Sequence, residues 1–401
     1  MVEVLGSWVV GPLESYVRGF AAELARRGYT VPSAAHQVGL VAHLSRWMAG
    51  GRLDVADLTP AVVERYVVVR RAAGYRSLRS EKALVPLLSY LRSLGVIGEV
   101  VPPPARTPGE VLLGRYRDYL VSERGMGARS VRGYVDLVRP FVERCAREGE
   151  SDLADLAAGE VSSFLVAQSR RLSPKTVQRL ASALRSLLRF WHVQGLIGGP
   201  LDQAVPKVAN RRPGLVRPLQ PGEVGALLAS CDLATAAGRR DLAILTLLAR
   251  VGLRAGEVAG LGLDDINWRR GEITIRGKRN RLDGLPLPAD VGEAIASYLR
   301  DGRPATALDR SVFTRIRAPH QGLTPVGVTQ AVAAAARRAG LGVIHAHRLR
   351  HSAATSILAE GGSLAEIGQV LRHRQTLTTA AYTKVSIEAL RALSRPWPGV
   401  S

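Results

Sequence analysis

Cysteine is nearly absent: Cys145 and Cys231 are the only two in 401 residues. Two thiols cannot build a disulfide framework, and these two lack metal-ligand spacing, so the composition fits a reducing compartment. Long apolar runs are missing as well. No stretch reaches the roughly 20 residues a membrane helix needs, and Met1 to Val10 has no basic region ahead of an apolar core, so neither a membrane span nor a secretory leader is expected. Lysine is scarce, with Lys82, Lys175, Lys207, Lys278 and Lys384 the whole set. Almost all of the positive charge is therefore arginine, as a GC-rich genome would produce. Base composition accounts for arginine over lysine but not for base over acid.

That excess is large. The formal net charge is +21, and the isoelectric point is near 11.0. A chain this basic binds phosphate backbones through counterion release, which makes nucleic acid the leading partner. The charge is graded along the chain: residues 1–100 carry a net +4, residues 101–214 +7 and residues 215–401 +10. A length of 401 residues exceeds one ordinary domain, so two or three are expected.

Two breaks divide the chain. Val101-Pro102-Pro103-Pro104-Ala105-Arg106-Thr107-Pro108 is one candidate linker and Asn210-Arg211-Arg212-Pro213-Gly214 the other. They predict domains at 1–105, 106–212 and 213–401. The first two segments share local patterns, read as an internal duplication rather than a convergence of amphipathic helices. Leu53-Asp54-Val55-Ala56-Asp57-Leu58 recurs as Ser151-Asp152-Leu153-Ala154-Asp155-Leu156, and Ser93-Leu94-Gly95-Val96-Ile97-Gly98 as Val193-Gln194-Gly195-Leu196-Ile197-Gly198, at offsets of 98 and 100 residues. With only two copies, a solenoid array is not expected.

Both segments read as four or five short helices, with helical spacing over 62–69, 84–94, 131–142 and 177–191. The last segment is mixed. Helices are predicted over 223–231, 239–251, 291–299, 324–339, 348–359 and 364–371, with a strand at 272–276 leading into a turn at 277–280. The fold class that follows is mainly α, with a small antiparallel β-sheet in the C-terminal domain and helical domains before it.

The chemistry concentrates near the C-terminus. Tyr382 follows His373 by nine residues, and both lie downstream of His347-Arg348-Leu349-Arg350-His351; Lys278 follows the predicted strand, and Arg254 sits in Gly252-Leu253-Arg254-Ala255-Gly256-Glu257. Breaking a phosphodiester needs a nucleophile, charge stabilisation on the nonbridging oxygens and a proton for the departing oxygen. Arg254 and Arg350 suit the second task, because a guanidinium binds phosphate bidentately and stays charged. His347 and His373 can donate to the same oxygens or exchange protons near neutrality. Lys278 can protonate the leaving oxygen, and Tyr382 can attack the phosphorus, storing the broken bond as a phosphotyrosyl ester so that religation needs neither ATP nor metal. Taken singly, each residue is more often a surface charge, a helix cap or packing. His351 could support Arg350 from the side, and His345 competes with His347 for its role. The set gains weight from its order and spacing: 24 residues from Arg254 to Lys278, three from His347 to Arg350, 23 from Arg350 to His373 and nine to Tyr382.

These motifs resemble those of the tyrosine recombinase, or phage integrase, family. The matching stretches are Gly252 to Val258 for the first arginine box, Arg276-Gly277-Lys278 for the lysine hairpin, His347 to His351 for the second box, Leu371-Arg372-His373, and Ala381-Tyr382-Thr383. The resemblance covers 215–395, and 110–200 looks like the family's helical core-binding domain. It departs at Arg372, where the family usually has Gly, and at Arg279-Asn280-Arg281, where it has a Gly-rich hairpin. The first hundred residues are extra relative to the simplest members.

The resemblance implies catalytic roles for Arg254, Lys278, His347, Arg350, His373 and Tyr382, a structural role for Glu257 and no cofactor or metal. Its implied partner is double-stranded DNA carrying specific recombination sites, held in a C-shaped clamp. It also implies self-association, with dimers on one site, tetramers in synapsis and a tail helix near 386–393 on a neighbouring subunit. An accessory recombinase or DNA-bending protein fits the same scheme, and the expected location is cytoplasmic, on the nucleoid. Two rival readings are a type IB topoisomerase-like relaxer and a catalytically silent helical DNA-binding or architectural protein. The second leaves the six ordered residues without a purpose.

Overall fold

The computed structural model describes residues 9–99, 107–145, 151–208, 218–277 and 282–372. Lys278, His373, Tyr382 and the tail segment 386–393 lie outside these residues. The chain forms two compact units, one of residues 1–100 with 214–401 and the other of 101–213. It is mainly helical with one small sheet, the expected fold class.

In the first unit, the N-terminal segment consists of α1 (Val17–Arg26), α2 (Val31–Gly50), α3 (Pro60–Ala72) and α4 (Glu81–Ser93). Phe20, Leu24, Val38, Leu44, Met48, Tyr66 and Leu91 make its apolar core, separate from the core of residues 219–349. Gly28 closes α1 at φ +81°, and a Cβ there would lie 2.3 Å from the His320 imidazole. Both the backbone and the space therefore require glycine.

The second unit has α5 (Pro108–Ser122), α6 (Ala128–Cys145), α7 (Ser151–Ala154), α8 (Ala158–Ser169) and α9 (Pro174–Val193). Tyr116, Phe141, Phe164, Leu184 and Trp191 form its core. Its last helix ends as α4 does. Gly95 at φ +69° and Gly195 at φ +70° take the left-handed position after the helix. In each case the next N–H closes back on the helix, Val96 to the Leu91 carbonyl at 3.1 Å and Leu196 to that of Trp191 at 2.9 Å. Ile97 and Ile197 are then buried.

The rest of the first unit runs α10 (Pro221–Ala229), α11 (Ala236–Arg250), α12 (Ala255–Ala259), β1 (Ile266–Asn267), β2 (Glu272–Arg276), β3 (Leu282–Pro286), α13 (Ala289–Asp301), α14 (Pro325–Arg338), α15 (Ala346–Ala359) and α16 (Leu364–Val370). The three strands are antiparallel in the order β1-β2-β3, with Ile273 opposite Leu285 and Arg276 opposite Leu282. Ile273 and Ile275 face the core while their neighbours face out, the period of a half-buried strand. Helix α11 is the centre, with Ala243 to Leu248 buried on every side, and it packs against α10, α12, α13, α14 and α15.

Caps account for most differences from the predicted boundaries. Thr235 accepts from the Gly238 N–H at 3.0 Å, so α11 starts three residues before the predicted Arg239. Pro221 takes the first turn of α10, two residues before Glu223. Helix α15 starts at Ala346 instead of Arg348, which puts His347 in its first turn.

Arg70, Arg71, Arg76 and Arg79 surround the loop at Gly74 but play different parts. Arg70 is buried, donates from Nε to the Leu78 carbonyl at 3.0 Å, and stacks 4.0 Å from the Tyr75 ring centroid. Arg71 donates to the Arg79 carbonyl at 2.9 Å. These two hold the loop, but only Arg70 is buried: Arg71, Arg76 and Arg79 are all exposed.

Candidate active site

The first arginine box begins where α11 stops. Gly252 turns the chain at φ +65°, and a Cβ there would lie 2.7 Å from the Leu371 side chain, so only glycine lets the two segments meet. Leu253 goes into the core and Arg254 becomes the N-cap residue of α12. Its side chain is 47% exposed. Glu257, one turn on, accepts the Arg254 N–H on Oε2 at 2.8 Å and Arg254 Nη1 on Oε1 at 2.7 Å. A carboxylate in the first turn of a helix suits the local dipole and satisfies a free backbone donor.

The second box is on α15. Leu349 and Arg350 point inward, and Arg350 is among the largest fully buried side chains among the described residues. Its Nη1 donates to the Gly252 carbonyl and its Nη2 to the Leu371 carbonyl. One guanidinium thus joins the turn before Arg254 to the end of α16. His347 is exposed one turn earlier, its ring edge-on to His351 with centroids 4.3 Å apart.

Helix α16 is started by Ser363 and Glu366, which cap each other's backbone N–H groups. Leu371 is buried against Ala354 and Ile367. Arg372 then adopts φ +52°, and its side chain, 11% exposed, returns to donate Nη2 to Glu257 Oε2 at 2.5 Å. Burial pulls the Arg372 pKa below its ordinary value, with Glu257 acting in the opposite direction.

The structure therefore brings together the Arg254 box, Arg350 and the segment leading to His373, with His347 on the same helix as Arg350. His345 is the N-cap residue of α15 and lends it no side-chain cap. The two features not anticipated from sequence are the burial of Arg372 and its sharing of Glu257 with Arg254. The only prior signal was a large residue where a glycine is usual. Among the described residues no group of three or more His, Cys, Asp or Glu side chains is arranged to hold a metal. Nor is any helix among them long and apolar enough to cross a membrane.

Comparison with known proteins shows the family. The family model described as the phage integrase family matches residues 217–388, and that of the phage integrase N-terminal SAM-like domain matches 113–195. The putative integrase/recombinase y4rA of Sinorhizobium fredii is 38% identical over 394 residues, covering 97% of this chain and 95% of that protein. Tyrosine recombinase XerC of Oceanobacillus iheyensis is 32% identical over 292 residues, covering 70% of this chain and 94% of that one. Among solved structures, the XerH site-specific recombinase in a post-cleavage complex with a palindromic difH substrate shares the fold at a TM-score of 0.59 and 19% identity, covering 72% of this chain and 97% of that one. A lambda integrase tetramer bound to a Holliday junction does so at 0.54 and 14%, covering 82% and 90%. The chain is a member of the phage integrase family of tyrosine site-specific recombinases.

Proposed function

We propose that this protein cleaves and rejoins DNA at specific sites through a 3'-phosphotyrosyl intermediate on Tyr382. The observation that carries the reading is the convergence of Arg254, Arg350 and the Leu371–Arg372 segment through shared contacts. Arginines brought to one place from elements 98 and 115 residues apart are costly to assemble without a polyanionic substrate. The Tyr382 phenol passes its proton to one of the two histidines as its oxygen attacks the phosphorus, the bond from phosphorus to the 5'-oxygen breaks, and Lys278 gives that oxygen its proton. Arg254, Arg350, His347 and His373 stabilise the charge on the nonbridging oxygens. The ester keeps the energy of the broken bond, and attack by a 5'-hydroxyl reverses the step, so the cycle consumes no ATP.

Residues 106–212 would act as the core-binding domain and 213–401 as the catalytic domain, with 1–105 adding contact to DNA. Protomers would pair on one site and join as a tetramer to exchange strands, in keeping with the described assembly of lambda integrase on a Holliday junction. The net +21 supplies the nonspecific part of binding.

The test is a nicked suicide substrate, in which the released fragment diffuses away and traps the covalent adduct on a denaturing gel. Wild-type protein should form the adduct and Tyr382→Phe should form none. An adduct with the phenylalanine variant would assign the nucleophile to another residue.

A further inference from the structure

Arg372 carries three observations that fold stability does not explain. It is one of only three non-glycine residues at positive φ among the described residues, with φ +52°, a conformation glycine adopts freely and an arginine adopts under strain. Its guanidinium is largely withdrawn from water, and its buried Nη1 has no hydrogen-bond partner among the described residues. Its ion-pair partner among the described residues is Glu257, 115 residues away, the same carboxylate that holds Arg254. A strained backbone, an unsatisfied donor and a desolvated ion pair all act against folding, so the side chain serves something else.

The distribution of donors around Glu257 shows what that is. Oε2 accepts from Arg372 Nη2 at 2.5 Å and from the Arg254 N–H at 2.8 Å, leaving only Oε1 for the Arg254 guanidinium, through Nη1 at 2.7 Å. A carboxylate with both oxygens open takes an arginine side-on, through two parallel bonds. Here Arg372 occupies the second oxygen and Arg254 is held by one nitrogen. The other donors of its fork stay available, on a side chain that is 47% exposed. We propose that Arg372 is a positioning residue for strand cleavage: by occupying Glu257 Oε2 it prevents a bidentate Arg254–Glu257 pair and keeps the Arg254 guanidinium turned toward the scissile phosphate. This role rests on the recombinase chemistry proposed above. Burial lowers the Arg372 pKa, opposed by the charges of Glu257 and of Asp283 on β3, while Arg254 lowers it further. The two arginines therefore repel each other across the carboxylate they share.

The experiment is single-turnover trapping on the nicked suicide substrate at saturating DNA, with binding followed separately. Arg372→Gly relieves the backbone strain and frees Oε2. It should slow adduct formation on the order of 10-fold, less than the roughly 100-fold loss of a charge-stabilising donor, with the half-saturating DNA concentration unchanged. Arg372→Lys, which puts a cation back on the carboxylate, should recover much of the rate. In a Glu257→Gln background, where no carboxylate captures Arg254, Arg372→Gly should add no further slowing. If the glycine variant does not fold, Arg372→Asn, also tolerant of positive φ, takes its place. Trapping by Arg372→Gly at the wild-type rate, or equal slowing in the Glu257→Gln background, overturns the positioning role and leaves the recombinase reading intact. A wild-type chain that forms no adduct overturns the reading itself and this role with it.

Discussion

Arg350 donates a hydrogen bond to the carbonyl of Gly252, across 98 residues of chain and inside the core. Its other terminal nitrogen holds the Leu371 carbonyl. The guanidinium is thus a structural tie between two loops as well as a candidate phosphate donor, which separates it from Arg254, whose side chain is half-exposed.

The two arginines should therefore respond differently to truncation. Arg350→Ala strands two buried carbonyls and is expected to cost about 3 kcal/mol of stability or more, together with a large loss of cleavage. Arg254→Ala should leave the denaturation midpoint nearly unchanged while cutting the cleavage rate roughly 100-fold. Urea melts and single-turnover trapping on the same preparations check both. Equal stability losses for the two variants would contradict the geometry.

Gly252→Ala tests the close approach of the two loops. The new Cβ would meet the Leu371 side chain at 2.7 Å in a backbone held at φ +65°. Overpacking together with left-handed strain should destabilise by about 2 kcal/mol or more. Thermal unfolding would show it as a drop of several degrees, and an unchanged melting temperature would mean that the loops part easily.

Lys278 is assigned to the leaving group by its place after β2 and by the scarcity of lysine. Lys278→Ala should cleave ordinary DNA poorly and should be rescued on a substrate with sulfur at the bridging 5' position, because that leaving group needs no proton. The same defect on both substrates would remove Lys278 from the acid role.

In the N-terminal segment, Arg76 and Arg79 are exposed while Arg70 and Arg71 hold the loop. If the segment contacts DNA, replacing Arg76 and Arg79 with Ala should flatten the plot of log affinity against log salt by about one to two units. Arg70→Ala should instead lower stability, through lost stacking on Tyr75 and a lost loop anchor. An unchanged salt slope in the double variant would turn the segment toward protein contact.

Much of this protein is local and was legible in the chain itself. Apolar spacing marks the long helices α9 and α14, alternation in Glu272-Ile273-Thr274-Ile275-Arg276 marks β2, and the ordered Arg, His, Lys and Tyr boxes mark the family. Those signals survive folding because periodicity and motif order are properties of the backbone sequence. Helix starts were read two or three residues late at α10 and α11, since the Pro and Thr that open them lie outside the apolar repeat, and two residues late at α15, which has no side-chain cap. What only the tertiary structure decided is which arginines are spent on the protein. Four arginines that look alike in sequence end differently: Arg70 over a tyrosine ring, Arg350 on two carbonyls, Arg372 on Glu257 and Arg254 half-open to solvent. The difference comes from long-range packing, since a guanidinium's partner is whatever acceptor the fold delivers within about 3 Å, and sequence spacing does not encode that distance.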